Sequence, residues 1–322
     1  MLAALMARSP APSASPAFPA PAGGDARTRS LTTSLLLSLR PSQWTKNLLV
    51  FAGLIFGERL FDPHAVASAI SAFAVFCLLS GVVYLVNDVV DREADRRHPV
   101  KSRRPIASGD LPPGVALGAA GTIGAVALAA AFGLGVPFGF VALAYVVLLV
   151  VYSVSLKHFV ILDVLTLAIG FVLRAFAGAV VIPVPFSHWL LLLTLLLALF
   201  IALSKRRAEL VSLAEDATSH RKSLAEYSPY LLDQMIGVVT ASTLLAYAFY
   251  TISPDTVQKF GTDHLLLTVP FPLYGIFRYL YLVHQREGGG NPSEMLVTDR
   301  PLLVCVALWA AAVIAILYGP WR

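Results

Sequence analysis

The run Tyr84-Leu-Val-Asn-Asp-Val-Val-Asp-Arg-Glu-Ala-Asp95 gathers acids directly behind an apolar stretch, Ala65 to Val86, that is long enough to cross a bilayer. Asn87, Asp91 and Asp95 fall four residues apart, so a helix puts them on one face, with Asp88 beside them. Carboxylates crowded at a membrane boundary repel one another and resist desolvation. A hard divalent cation relieves both costs. Mg²⁺ takes a few carboxylate oxygens, keeps water, and fills its remaining positions with substrate phosphates. Asn87, Asp88, Asp91 and Asp95 are therefore candidate ligands for Mg²⁺ carrying a diphosphate. The bland alternative is a solvated helix end; the strict register and the abutting span weigh against it.

Cations follow within ten residues. Lys101, Arg103 and Arg104 lie in a turn-rich segment that can fold back over the acids. There they would neutralise a departing pyrophosphate, or anchor the chain to anionic head groups, or both. Lys46, in Arg40-Pro-Ser-Gln-Trp-Thr-Lys-Asn47, suits either a Trp/Lys interfacial belt or a phosphate ligand. Tyr152-Ser-Val-Ser-Leu-Lys157 precedes Asp163, and Arg174 stands eleven residues past Asp163, about three helical turns, so these two share a face. An arginine deep in a span turns inward to a partner. Arg174 is thus either half of an ion pair or a receiver for an anionic group. Lys205 and Arg206 are placed to face a cavity, whereas Arg207 suits the ordinary basic end of a span.

The elements that must position these residues are membrane helices. Of 322 residues, 57% are hydrophobic and 13% charged, about half the charge of a soluble domain. Nine apolar segments of spanning length can be marked: 44–61, 65–87, 114–133, 136–153, 161–182, 187–204, 233–253, 265–284 and 301–319. The first is the weakest, and Gly135 and Pro137 alone divide the third from the fourth. Nineteen of the 24 basic residues fall on one side of a nine-span arrangement. That side is cytoplasmic by the positive-inside rule, which places the N-terminus inside, the C-terminus outside and the acids on the inner face of the plasma membrane. Residues 1–30, rich in Ala, Pro and Ser, read as a disordered tail. They lack the apolar core of a secretory signal; an organellar transit peptide is the other reading. Cys77 and Cys305 sit in apolar runs as small hydrophobes. The seven histidines have no metal-ligand spacing, and no nucleophile triad, Walker loop or dinucleotide fingerprint is present. No nucleic-acid partner is expected.

Asn87-Asp88-x-x-Asp91-x-x-x-Asp95, followed by Lys101-Ser-Arg-Arg-Pro-Ile-Ala-Ser-Gly109, resembles the first aspartate-rich motif of the UbiA superfamily of intramembrane prenyltransferases. The likeness runs from about residue 35 to the end. It implies an all-α integral membrane fold, nine transmembrane helices bundled around a polar cavity facing the cytoplasm. Arg40 to Asn47, Tyr152 to Lys157, Gly170-Phe-Val-Leu-Arg-Ala-Phe-Ala-Gly178 and Ser204-Lys-Arg-Arg-Ala-Glu-Leu210 narrow it to a branch that moves a phosphoribosyl group, with weaker support from Leu232 to Tyr247. That branch implies phosphoribosyl pyrophosphate as donor, a polyprenyl (decaprenyl) phosphate as acceptor, pyrophosphate as product and a place in arabinan cell-wall synthesis.

The superfamily's aromatic prenyltransferases carry a second acidic motif. Here Leu167 stands four residues after Asp163, and Lys157 and Arg174 flank the position, so an anionic co-substrate fits better than a second metal. The expected division of labour follows. The four oxygen ligands hold Mg²⁺ on the pyrophosphate, and Lys46, Lys101, Arg103 and Arg104 neutralise it as it leaves. Tyr152, Lys157, Asp163, Arg174, Lys205 and Arg206 surround the attacking phosphate or the ribose 5-phosphate. An aromatic or other polyprenyl-diphosphate transferase is the nearer rival and a transporter the more distant one. Against the transporter, no inverted repeat is visible and the charges gather at one face. Homo-oligomerisation and chain length of the lipid stay open.

Overall fold

The computed structural model describes residues 29–98, 100–185, 188–212, 226–285, 295 and 298–319. The expected tail lies outside these residues except for its last two, as do Arg8, Arg27, Arg221, Lys222, Arg286 and Arg322. Every described element is a helix. After α1 (Leu31–Ser38) come a 3-10 helix (Pro41–Phe51) and α2 (Ala52–Phe56), then α3 (Pro63–Val90), α4 (Arg92–Arg97) and α5 (Pro105–Ser108). The remaining long helices are α6 (Pro113–Leu134), α7 (Val136–Val154), α8 (Leu162–Val181), α9 (His188–Ser212) and α10 (Pro229–Ile252). α11 (Pro254–Phe260), α12 (Pro270–Gln285) and α13 (Arg300–Tyr318) complete the chain.

Eight of these segments are long and apolar enough to cross a membrane: α3, α6, α7, α8, α9, α10, the stretch His264–Gln285 that includes α12, and α13. They match eight of the nine expected spans. Local chemistry sets their ends. The Asp62 carboxylate accepts from the amides of His64 and Ala65 at 3.0 and 3.3 Å, and Pro63 follows in the first turn, a start signal of the ordinary kind. Gly135 divides α6 from α7 with φ of +152°, a conformation only glycine takes without strain.

The ninth expected span, 44–61, is wound differently. Its first part is the 3-10 helix, whose roughly 2 Å rise per residue makes Pro41–Phe56 about 30 Å long. It runs beside α3 from end to end. Arg40 bonds Asp88 at one end of α3, Asn47 bonds Ser80 and Cys77 midway, and the amide of Leu60 bonds Tyr318 beside the other end. Three residues per turn line Asn47 and Val50 along one edge; both are buried, as is Gly53 in the first turn of α2. That edge lies on α8 so closely that a Cβ on Gly178 would sit 1.9 Å from the Val50 carbonyl oxygen. One core joins Val50, Phe76, Leu79, Phe138 and Tyr145. Another joins Phe200, Leu203, Leu232, Ile276 and Tyr279, and α8 touches both.

Candidate active site

α3 carries the acidic run to its end at Val90; Asp91 closes it and α4 resumes at Arg92. The Asp91 amide still donates to the Asn87 carbonyl (2.9 Å) and the Asp95 amide to that of Asp91 (2.8 Å), so the four-residue register survives the turn. The side chains sort differently from that register. Asp88 and Asp95 are buried at 2% and 4% exposure, while Asn87 and Asp91 stay partly exposed. The cause is Arg104. Its Nη1 donates to Asp88 Oδ1 at 3.2 Å and to Asp95 Oδ2 at 2.6 Å, drawing the two acids to one point. The expected fold-back of the cationic segment is realised there, and Arg96 Nε pins it by donating to the Ala107 carbonyl at 3.1 Å. Arg103 is exposed; Lys101 is half-buried and its charge acts on Asp95. Burial pushes the Asp95 carboxyl up from its ordinary range, and Arg104 pulls it partly back.

Two further cations reach this mouth. Arg40 donates to the same Asp88 oxygen, its guanidinium 4.6 Å from the Tyr84 ring centre. Lys157, expected beside Asp163, instead donates to Asp91. Among the described residues no three His, Cys, Asp or Glu side chains stand close enough to hold a metal as they are. The donor chemistry nevertheless fits Mg²⁺: the oxygens are hard, and Asp88 and Asp95 already converge on one cationic nitrogen.

A second cluster forms around Asp163, which is 0% exposed. Its Oδ2 accepts from Arg206 Nε at 3.0 Å and its Oδ1 from the Tyr227 hydroxyl at 2.9 Å. Arg206 also donates to Glu209 and, at 3.4 Å, to Tyr152. Burial pushes the Tyr227 phenol up to about 12, so it stays a donor. Its oxygen in turn accepts from the amide of Ile161 at 2.8 Å, where φ is +70°, an uncommon value for a β-branched residue. Lys205 is partly exposed, with Glu209 3.8 Å away.

Asp163 therefore pairs with Arg206 and not with Arg174. Eleven residues of helix separate Asp163 from Arg174 by about 16 Å along the same face. Arg174, 5% exposed, donates to Asn47 Oδ1 (2.9 Å), the Gly170 carbonyl (3.0 Å) and the Tyr145 hydroxyl (2.6 Å). The charges that act on half-buried Lys46 are those of Arg174 and Arg40. Neither Lys46 nor Arg174 makes a salt bridge among the described residues. A separate cleft of about 450 Å³, lined by Phe56, His188, Trp189, Tyr250 and Lys259 among others, touches none of these charges.

Residues 47–298 match the model of the UbiA prenyltransferase family. The chain belongs to the UbiA prenyltransferase family. It is 33% identical over 296 residues to a decaprenyl-phosphate phosphoribosyltransferase of Corynebacterium glutamicum, covering 90% of this chain and 88% of that one. It is 33% identical over 303 residues to the enzyme of the same name from Mycolicibacterium smegmatis, covering 90% and 94%. The fold is similar to that of a UbiA homologue from Archaeoglobus fulgidus bound to GPP and Mg²⁺, with TM-score 0.69, 19% identity and coverage of 88% and 99%.

Within this UbiA fold, four participants were not singled out from the sequence: Arg40, Tyr145, Glu209 and Tyr227. Arg40 opens the same motif as Lys46 and could have been read with it. Glu209 stands three residues from Arg206, the spacing of a helical ion pair. Tyr145 and Tyr227 lie in contexts that give no such signal.

Proposed function

We propose that this chain transfers the 5-phosphoribosyl group of phosphoribosyl pyrophosphate to a polyprenyl phosphate of the decaprenyl kind, releasing pyrophosphate, with Mg²⁺ as cofactor. The observation that carries this is the mouth of α3. There Asp88, Asp91 and Asp95 supply oxygens, while Arg40, Arg104 and Lys157 supply nitrogens at the same place. A magnesium diphosphate needs both kinds of group at once. The names of the two full-length relatives narrow the donor and acceptor.

Asn87, Asp88, Asp91 and Asp95 would hold the metal, which supplies charge neutralisation to the diphosphate when bound. Arg40, Arg104 and Lys157 rest on carboxylates and turn to diphosphate oxygens once the donor arrives, so charge that builds on the leaving group meets fixed donors. The anomeric C–O bond to pyrophosphate breaks and one to the lipid phosphate oxygen forms from the opposite face. That nucleophile is already anionic near neutral pH and needs no general base. The chain's work is positioning and electrostatics. The excess of basic residues at this end supports a cytoplasmic mouth in the plasma membrane. The run of Pro41–Phe56 beside α3 supports nine passes. A role in arabinan precursor synthesis belongs to the same reading, as the branch this sequence resembles implies.

Purified chain in lipid, given labelled phosphoribosyl pyrophosphate and polyprenyl phosphate, should form labelled lipid, and chelation should abolish it. Transfer from a prenyl diphosphate to an aromatic acid, with no labelled lipid, would overturn the proposal.

A further inference from the structure

One buried charge, Arg174, has no counter-charge within salt-bridge distance among the described residues. Arg174 lies one turn short of Gly178, where the Val50 carbonyl presses on α8. Its three hydrogen bonds among the described residues all go to neutral acceptors, Asn47, Gly170 and Tyr145. The guanidinium plane stands 4.7 Å from the Tyr145 ring centre and 4.9 Å from that of Phe171. A guanidinium has five N–H donors. Three are used, so one on each terminal nitrogen remains, the geometry that grips a phosphate with two parallel bonds. Asn47 cannot turn away, because its amide nitrogen donates to Ser80 at 3.2 Å and to the Cys77 sulfur. Lys46, the residue before Asn47, adds a second cation near enough for the charge of Arg174 to act on it. An isolated charge so placed is costly unless something anionic comes to it.

Where this charge lies says which anion. Ser80, the partner of Asn47, is eight residues before Asp88 on α3, about 12 Å along its axis, and Tyr84, with Arg40 against its ring, stands between, where the charges of both Asp88 and Arg174 act on it. Two anion sites then lie along α3 at about the length of a sugar together with its diphosphate. The far side is closed: Val50, Phe76 and Tyr145 are each 0% exposed, and the 3-10 helix touches α8 backbone to backbone. A lipid phosphate needs an exit for its hydrocarbon, and the described residues packed here leave none beside Arg174. A terminal phosphate monoester needs no exit.

We infer that Arg174 and Lys46, oriented by Asn47 and Tyr145, form the pocket for the 5-phosphate of the donor, and that this pocket selects a phosphorylated pentose over a prenyl chain at the same diphosphate site. The inference rests on the phosphoribosyl reading above. A buried cation at the end of the pocket repels hydrocarbon and rewards phosphate, so specificity resides here and not in the aspartates.

The test compares phosphoribosyl pyrophosphate with ribose 1-diphosphate, which lacks only the 5-phosphate, as donors to polyprenyl phosphate. The full chain is used, with Lys46→Met and Asn47→Asp as variants. Asn47→Asp keeps the side-chain shape and hands Arg174 an internal counter-charge, so it is the gentler probe; Arg174→Gln is compared if it folds. Wild type should favour the phosphorylated donor in kcat/KM. Each variant should shrink that preference about tenfold to a hundredfold, through the phosphorylated donor alone, with inhibition by pyrophosphate unchanged. An unaltered preference in folded Lys46→Met and Asn47→Asp overturns the inference, and so does a rise in KM confined to polyprenyl phosphate. A wild type with no phosphoribosyl transfer sinks the underlying reading before any variant is compared.

Discussion

Two ionic clusters stand at the same end of the bundle, and they are built for different ends. At the mouth of α3, Asp91 and Arg40 are partly exposed, and Arg104 divides itself between Asp88 and Asp95. Arg40 and Arg104 each keep one foot in water, and buried Lys157 reaches out to the partly exposed Asp91. Around Asp163, by contrast, both carboxylate oxygens are taken, Arg206 is 2% exposed, and the network closes on Tyr152, Glu209 and Tyr227. A closed network holds helices: it ties α8 to α9 and to the entry of α10. An open one can exchange partners. Charge alone therefore does not mark the reactive site; unspent bonding capacity and access to water do.

Four substitutions probe that contrast. The largest effect is expected at Asp163. Asp163→Ala leaves Arg206 buried beside an empty place and should cost about 3–5 kcal/mol of stability, read as loss of monodisperse protein or a lowered thermal midpoint in detergent. A normal midpoint with lost turnover would move this cluster into the reactive site. Asp91→Asn should do the reverse. Turnover falls about a hundredfold to a thousandfold, while the chain stays folded, because Asp91 is partly exposed and an amide oxygen there still accepts from buried Lys157. Gly178→Ala puts a methyl against the Val50 carbonyl and should cost about 1–3 kcal/mol. Because the displaced segment carries Arg40 and Lys46, the KM for donor should rise as well, which would show that the open cluster depends on this distant contact. Arg207→Ala removes a half-exposed pair with Asp233 and should cost under about 1 kcal/mol, with turnover unaltered. A larger loss would mean that exposure is a poor guide to what these pairs do.

Much of this was legible in the chain. Long apolar runs declared eight helices, since burial in lipid leaves few other ways to satisfy a backbone. The acids of 87–95 and the returning cation Arg104 were readable because they are close in sequence. Partner choice across helices was not. Helical periodicity put Asp163 and Arg174 on one face, but a face is not a contact, and Arg206 from α9 reaches Asp163 first. Lys157 likewise crosses to Asp91 because α7 ends beside α3, a matter of packing that no local spacing encodes. The tight winding of 41–51 was hidden for another reason. Its hydrophobic content suits an α-helix equally well, and only the close approach to Gly178 makes the slimmer form fit.

That winding has a consequence for how the gene can change. A 3-10 segment is a threefold screw, so its residues fall into three straight columns. Asn47 and Val50 stand in one column, one gripping Arg174 and the other pressing its carbonyl on Gly178 of α8. Losing or gaining a single codon between them would turn one end by a third of a revolution against the other, and only one of the two grips could be kept. Length changes there should be tolerated in threes or not at all.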